Sequence, residues 1–122
     1  VLYSTLARND AAMADSLMCA GVSTVTVEDS ILVGRDPTSV DCVGASITNS
    51  ALDQALGGNA NVGPIQNGWF VNVVSDHHLT AAGEAEFDGV AEWNTGDPLV
   101  DIDGDLRPNV DATADVAGAD VP

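Results

Sequence analysis

The sequence predicts an all-β chain organised as a parallel β-solenoid, and three observations carry that expectation. A six-residue pattern occurs three times, as Val1-Leu2-Tyr3-Ser4-Thr5-Leu6, Val27-Glu28-Asp29-Ser30-Ile31-Leu32 and Ile47-Thr48-Asn49-Ser50-Ala51-Leu52. In each, a β-branched aliphatic is followed three places later by Ser, and two after that by Leu. The serines recur 26 and then 20 residues apart, in the range of repeats that contact only their neighbours. Aromatic residues are only 4% of the chain, while small and branched aliphatics are plentiful, as thin stacked strands require. The competing architecture is an antiparallel sandwich of ordinary alternating strands.

Side chains two apart on a strand share a face, so Val25 and Val27 share one and Ser30 and Leu32 another. The phase slips by one between Val27 and Ser30, and a corner at Glu28-Asp29 returns both faces to one interior. Tyr3 and Asn49 occupy the position of Asp29. The expected repeat core is therefore Val27, Ser30, Leu32, Ile47, Ser50 and Leu52. Its inward serines stack, each hydroxyl requiring a partner because buried polar groups must be satisfied.

Between these units, Asp10 to Leu17 reads equally as a helical turn or a loop. Arg35-Asp36-Pro37-Thr38-Ser39 is a turn cluster in which Pro37 blocks strand continuation. Gln54 to Gly68, rich in Gly and Asn, is an irregular excursion. Trp69 to Val74 is the last clear strand, with Trp69 and Phe70 expected to plug the end of the core. From Ser75 onward the repeat is lost, as expected of a terminal unit that covers sheet edges and apolar interior.

Cys19-Ala20-Gly21 and Cys42-Val43-Gly44 share a Cys-x-Gly pattern, each a short way before a repeat strand. On neighbouring coils they would lie within bridging distance, which predicts a Cys19–Cys42 disulfide contributing about 3 kcal/mol by loop-entropy arithmetic. Two buried free thiols are the alternative. A disulfide implies a setting outside the cytoplasm. A two-Cys metal site lacks further ligands.

At 122 residues, 45% hydrophobic and with mean hydropathy +0.12, the chain has the length of one domain and is not disordered. No apolar run approaches the roughly 20 residues that span a bilayer, so no membrane insertion is expected. The chain opens inside a repeat unit, which suggests that preceding coils are missing and that the open first coil could self-associate. Nineteen acidic residues stand against Arg8, Arg35 and Arg107, with no lysine, for a net charge of −16. Such a field repels nucleic acid and anionic lipid and attracts divalent cations diffusely. It is equally what a merely solvated acidic surface looks like.

The C-terminal segment Asp101-Ile102-Asp103-Gly104-Asp105-Leu106-Arg107-Pro108, then Asp115-Val116-Ala117-Gly118-Ala119-Asp120, resembles the closing signature of bacterial right-handed parallel β-helix surface proteins. That group is described by its choice of anchor. Asp41-Cys42-Val43-Gly44, Phe70-Val71-Asn72 and His78-Leu79-Thr80 are similar to its preceding segments. Ala117 splits the family's D-I-G-A match, and Val121 stands where Glu is usual. The resemblance implies a right-handed parallel β-helix, with coils over residues 1–75 and a C-terminal cap over 76–122. It also implies export to the cell surface or extracellular space, but no reaction.

The densest acidic set is Asp101, Asp103, Asp105 and Asp111, alternating about a Gly in a manner suited to Ca²⁺. It is not an EF-hand, because the twelfth position from Asp101 is Ala112. The alternative is a structural cap in which Arg107 pairs with one or two aspartates and the rest accept backbone N–H bonds. His77 and His78, adjacent on a strand, point to opposite faces and cannot easily serve one ion, which leaves His78 a packing or hydrogen-bonding role. Asp53, or Glu84 with Glu86, are weak glycosidase candidates. G-x-S-x-G and phosphate-binding glycine motifs are absent. The expected function is a structural or adhesive module facing an unknown surface partner or polysaccharide. The alternatives are a polysaccharide-binding or polysaccharide-degrading domain and a calcium-stabilised adhesion segment.

Overall fold

The computed structural model describes residues 1–7, 16–19, 24–34, 40–53 and 61–120. Residues 10–15 of the candidate helical turn over Asp10 to Leu17, the turn cluster at 35–39 and the first half of the 54–68 excursion lie outside them.

Each repeat unit contributes a short strand after its corner: β1 (Thr5–Ala7), then, beyond β2 (Leu17–Met18) and β3 (Val25–Glu28), β4 (Ile31–Val33). The third unit follows β5 (Val40–Asp41) and supplies β6 (Ala45–Thr48) before its corner and β7 (Ala51–Leu52) after it. Equivalent strands pair in parallel. Thr5 lies beside Ile31, Ile31 beside Ala51, and Val27 beside Ile47. At the corners Tyr3, Asp29 and Asn49 all adopt left-handed backbone, with φ of 42°, 54° and 50°. Asn and Asp tolerate this region better than other non-glycine residues, so Asp29 and Asn49 suit the turn and Tyr3 is held there by its surroundings.

A serine ladder ties the corners together. Ser4 N–H donates to Ser30 Oγ (3.2 Å) and Ser30 N–H to Ser50 Oγ (3.2 Å). Each hydroxyl in turn donates to the carbonyl two residues before it, Ser30 to Glu28 and Ser50 to Thr48, both at 2.7 Å. Asn61 ends the ladder: its Oδ1 accepts from Ser50 N–H and its Nδ2 donates to Ile47 O. Val27, Leu32, Ile47 and Leu52 form one apolar cluster at this point, and Ser30 and Ser50 are fully buried beside it.

The larger architecture corrects the expected right-handed parallel β-helix. The described residues form five sheets of two or three strands each, none closed or continued as a solenoid, and two of the five are antiparallel. The ladder runs out physically after β7. Val62 makes a single bridge to Ala51, and Pro64, two residues on, has no N–H to extend it. The strand expected over Trp69 to Val74 divides. Asn67–Trp69 is a 3₁₀ turn, and β8 (Phe70–Asn72) forms an antiparallel hairpin with β9 (Asp76–Leu79).

Thr80 then starts α1 (Ala81–Phe87), its hydroxyl accepting from Gly83 N–H. β10 (Ala91–Trp93) pairs antiparallel with β11 (Thr113–Asp115). The C-terminal segment closes against the repeat. Gly118 N–H donates to Asp29 O, Ala119 N–H to Thr5 Oγ1, and Glu92 N–H to Asp29 Oδ1. A second apolar cluster joins Tyr3, Ile31, Val33 and Ala51 to Phe70, Leu79, Phe87, Trp93 and Val116. The β1–β4–β7 sheet is thus covered on both faces, which explains the uninterrupted apolar run Ile31-Leu32-Val33.

Candidate functional site

The predicted Cys19–Cys42 disulfide is formed, with 4.7 Å between the Cα atoms. It continues the parallel pairing of β2 with β5, in which Met18 lies beside Asp41 and Cys19 N–H donates to Asp41 O. Trp69 and Phe70 meet Phe87 of α1. The Trp69 ring stands edge-on at 5.3 Å between centroids, and Phe70 is buried within the second cluster.

Arg107 lies at the centre of the C-terminal closure, 5% exposed. Nη1 donates to Asp115 Oδ2 (2.9 Å) and Val116 O (3.1 Å), and Nη2 donates to Gly118 O (2.6 Å). The guanidinium sits 4.3 Å over the Tyr3 ring, a cation–π contact. Burial, reinforced by the charges of Asp115 and Asp29, holds the Tyr3 hydroxyl far above the usual tyrosine range. The partner of Arg107 is therefore Asp115, outside the aspartate set that the sequence singled out.

That set is spread among separate tasks. Asp101 Oδ1 accepts the N–H groups of Asp103, Gly104 and Asp105 at 2.8–2.9 Å, so it organises the turn around Gly104. Asp111 Oδ1 accepts Thr95 N–H, and hydrogen bonding from the Thr95 side chain, then from this N–H, holds its carboxyl below the ordinary range. Asp105 is exposed. Only Asp103 joins a group of converging donors: among the described residues, the metal-capable cluster is His78, Asp103 and Asp120, whose ligand atoms lie within 4.8 Å of one another.

The hairpin builds this cluster. Alternation along β9 puts Asp76 and His78 on one face and His77 on the other. His77 turns towards Phe70 (5.9 Å, edge-on), and its Nε2 lies 3.2 Å from Val73 O. His78 Nδ1 lies 2.5 Å from Asp76 Oδ1, and His78 Nε2 lies 2.9 Å from Asp103 Oδ2. The hydrogen bond to Asp76, then that to Asp103, raises the basicity of His78, and His78 in turn lowers Asp76. Asp120, buried, accepts Leu79 N–H at 2.8 Å and thereby pins the C-terminal segment to β9. These side chains, with Thr5 and Ser75, line a pocket of about 420 Å³. Asp53 serves Gly34 N–H, and Glu84 and Glu86 are exposed on α1.

Sequence reasoning gave His78 a hydrogen-bonding role and missed Asp76 and Asp120. The Asp76-x-His78 spacing on a strand was the available signal. Asp120 arrives 41 residues after Leu79, through tertiary packing.

No family model, curated protein or solved structure matches the chain.

Proposed function

We propose that this chain is a non-catalytic structural or adhesive module of an exported protein. One observation carries the reading: the buried residues Ser30, Ser50, Asp29, Asp115, Asp120 and Arg107 all hold main chain, each bonding at least one backbone N–H or C=O. The Tyr3 hydroxyl, Ser16 Oγ and Arg107 Nε are buried without a hydrogen-bond partner among the described residues. Buried polar groups committed in this way specify a rigid scaffold and leave little free chemistry inside it. The disulfide agrees with an oxidising, extracellular setting.

The adhesive part of the reading rests on the C-terminal loop, where Leu99, Ile102, Leu106 and Val110 are 58%, 73%, 82% and 65% exposed. Several apolar side chains exposed on one loop of an acidic chain favour a partner contact. The bacterial cell-surface origin suggested by the 101–120 signature fits the same reading.

Binding of the oxidised chain to a glycan array and to intact bacterial cells, with Leu106→Asp as the control, tests the proposal. Binding that the variant loses supports it. Release of oligosaccharides from a polysaccharide panel overturns it in favour of the carbohydrate-degrading alternative. A melting temperature raised by millimolar Ca²⁺ would support the calcium-stabilised form of the adhesive reading.

A further inference from the structure

We propose that His78 Nε2, Asp103 and Asp120 form a binding site for a divalent transition-metal ion of the zinc class, with Asp76 as the positioning residue that orients the imidazole.

The contacts of His78 need more than a neutral imidazole between two ionised carboxylates. Both ring nitrogens of His78 face carboxylate oxygens, at 2.5 and 2.9 Å. An ionised carboxylate offers only lone pairs, and a neutral imidazole has one N–H and one bare nitrogen. With a neutral ring, one of the two contacts sets lone pair against lone pair. Either a second proton or a metal ion removes the conflict.

Charge favours the metal. One imidazolium leaves the carboxylates of Asp76, Asp103 and Asp120 with two negative charges in excess. A divalent ion on a neutral imidazole leaves one. The surrounding chain, at −16, adds to the pull on a dication.

The arrangement also has the division of labour found around metal-bound histidines. Asp76 sits against Nδ1, where it accepts the ring N–H and fixes the tautomer that presents Nε2. Asp103 and Asp120 supply oxygen, within 4.8 Å of the other donors. Ligands on a tetrahedral zinc lie roughly 3.3 Å apart, so the 2.9 Å between Nε2 and Asp103 opens by only a few tenths of an ångström on binding. One nitrogen and two carboxylates suit zinc and its neighbours, whereas calcium takes six to eight oxygens. All three ligands border the pocket, from which water can complete the coordination.

The test is Zn²⁺ binding to the tag-free, oxidised chain after chelator treatment and dialysis. It is read by calorimetry and by competition with a chromogenic chelator. The expected result is one Zn²⁺ per chain at micromolar dissociation constant or tighter, undisturbed by millimolar Ca²⁺. His78→Ala and Asp120→Asn should each weaken binding at least tenfold. Asp76→Asn should weaken it about 10- to 100-fold. Asp111→Asn, outside the cluster, should leave it unchanged. His78 is about half exposed, so its variant should keep the wild-type melting curve without metal and remain interpretable. Equal binding by wild type and His78→Ala would mean diffuse attraction to the acidic surface and would overturn the site. Absence of Zn²⁺ binding, with NMR showing both His78 nitrogens protonated at neutral pH, would overturn it in favour of a proton bridge between Asp76 and Asp103.

Discussion

Replacing Arg107 with Met should cost this chain a large share of its stability. The guanidinium and the Asp115 carboxylate are 1% and 3% exposed at the side chain, so neither group has water to replace the other. Met fills similar space but leaves the Asp115 charge buried and the carbonyls of Val116 and Gly118 without their donor. Removing one partner of a buried pair costs about 3–5 kcal/mol, of a total that for a typical domain is about 5–15 kcal/mol. The face of Tyr3 also loses its cation. With a urea m-value of roughly 2 kcal/mol/M, the unfolding midpoint of the oxidised protein should fall by roughly 1.5–2.5 M at unchanged m. Adding Asp115→Asn should recover part of the loss, because Asn removes the orphaned charge and keeps an acceptor for Val116 N–H. A midpoint shift below roughly 0.5 M, or a double variant no more stable than Arg107→Met alone, would refute the argument that this pair latches the C-terminal segment.

Burial raises the Asp29 carboxyl above its ordinary 3.8, so the cost of its ionisation to folding grows as pH rises from 3.8 through the folded value and is fully present above it. Asp29→Asn keeps the left-handed corner and the acceptor for Glu92 N–H, so the variant should be the more stable at pH 7. Its advantage should shrink as pH falls through the folded value and Asp29 takes up its proton; a pH-independent difference in urea midpoints would contradict this. Ser50→Ala should cost about 1–3 kcal/mol by stranding Ser30 N–H, whereas Ser4→Ala, on the last rung with its hydroxyl bond exposed, should cost less than 1 kcal/mol in the same denaturation assay. Gly83→Ala would set a Cβ 2.1 Å from Trp69 O, so α1 must shift. Near-ultraviolet circular dichroism should report the loss of the Trp69–Phe87 contact, and an unchanged spectrum would contradict the packing.

The local physics of the repeat was legible, and its extrapolation was not. Val27, Ser30 and Leu32 could be assigned to one interior because strand periodicity and a phase slip are properties of a few adjacent residues. The left-handed corner follows from the same stretch, since Asp29 and Asn49 stand at equivalent places. A repeat constrains only its neighbours, however, and three units carry no information about a fourth. Val62, Gly63 and Pro64 end the pairing where a solenoid would have continued it. The helix α1 was missed although Thr80 followed by Ala-Ala-Gly-Glu-Ala-Glu is an N-cap before mostly helix-favouring residues. Treating everything after Ser75 as irregular cap hid that signal.

The candidate site shows why acidic density is a poor guide to ligand geometry. The four aspartates at 101, 103, 105 and 111 are near one another in sequence but do not converge: Asp101 serves its own loop, Asp111 accepts from Thr95, Asp103 reaches His78 and Asp105 is exposed. Asp101 is turned inwards on its own loop, accepting three successive N–H groups, because a short polar side chain before a glycine turn satisfies the nearest donors first. Asp103, two residues on, has its N–H held by Asp101 while its carboxylate meets His78. The convergent set draws instead on three segments: β9, the Gly104 turn and the C-terminal strap. What holds them together is ordinary folding. Leu79 N–H anchors Asp120, Ile102 N–H anchors Ala119 O, and Ala119 N–H anchors Thr5. The backbone around His78, Asp103 and Asp120 is therefore held by bonds that do not depend on a cation, so the segments that carry these side chains are brought together by folding itself.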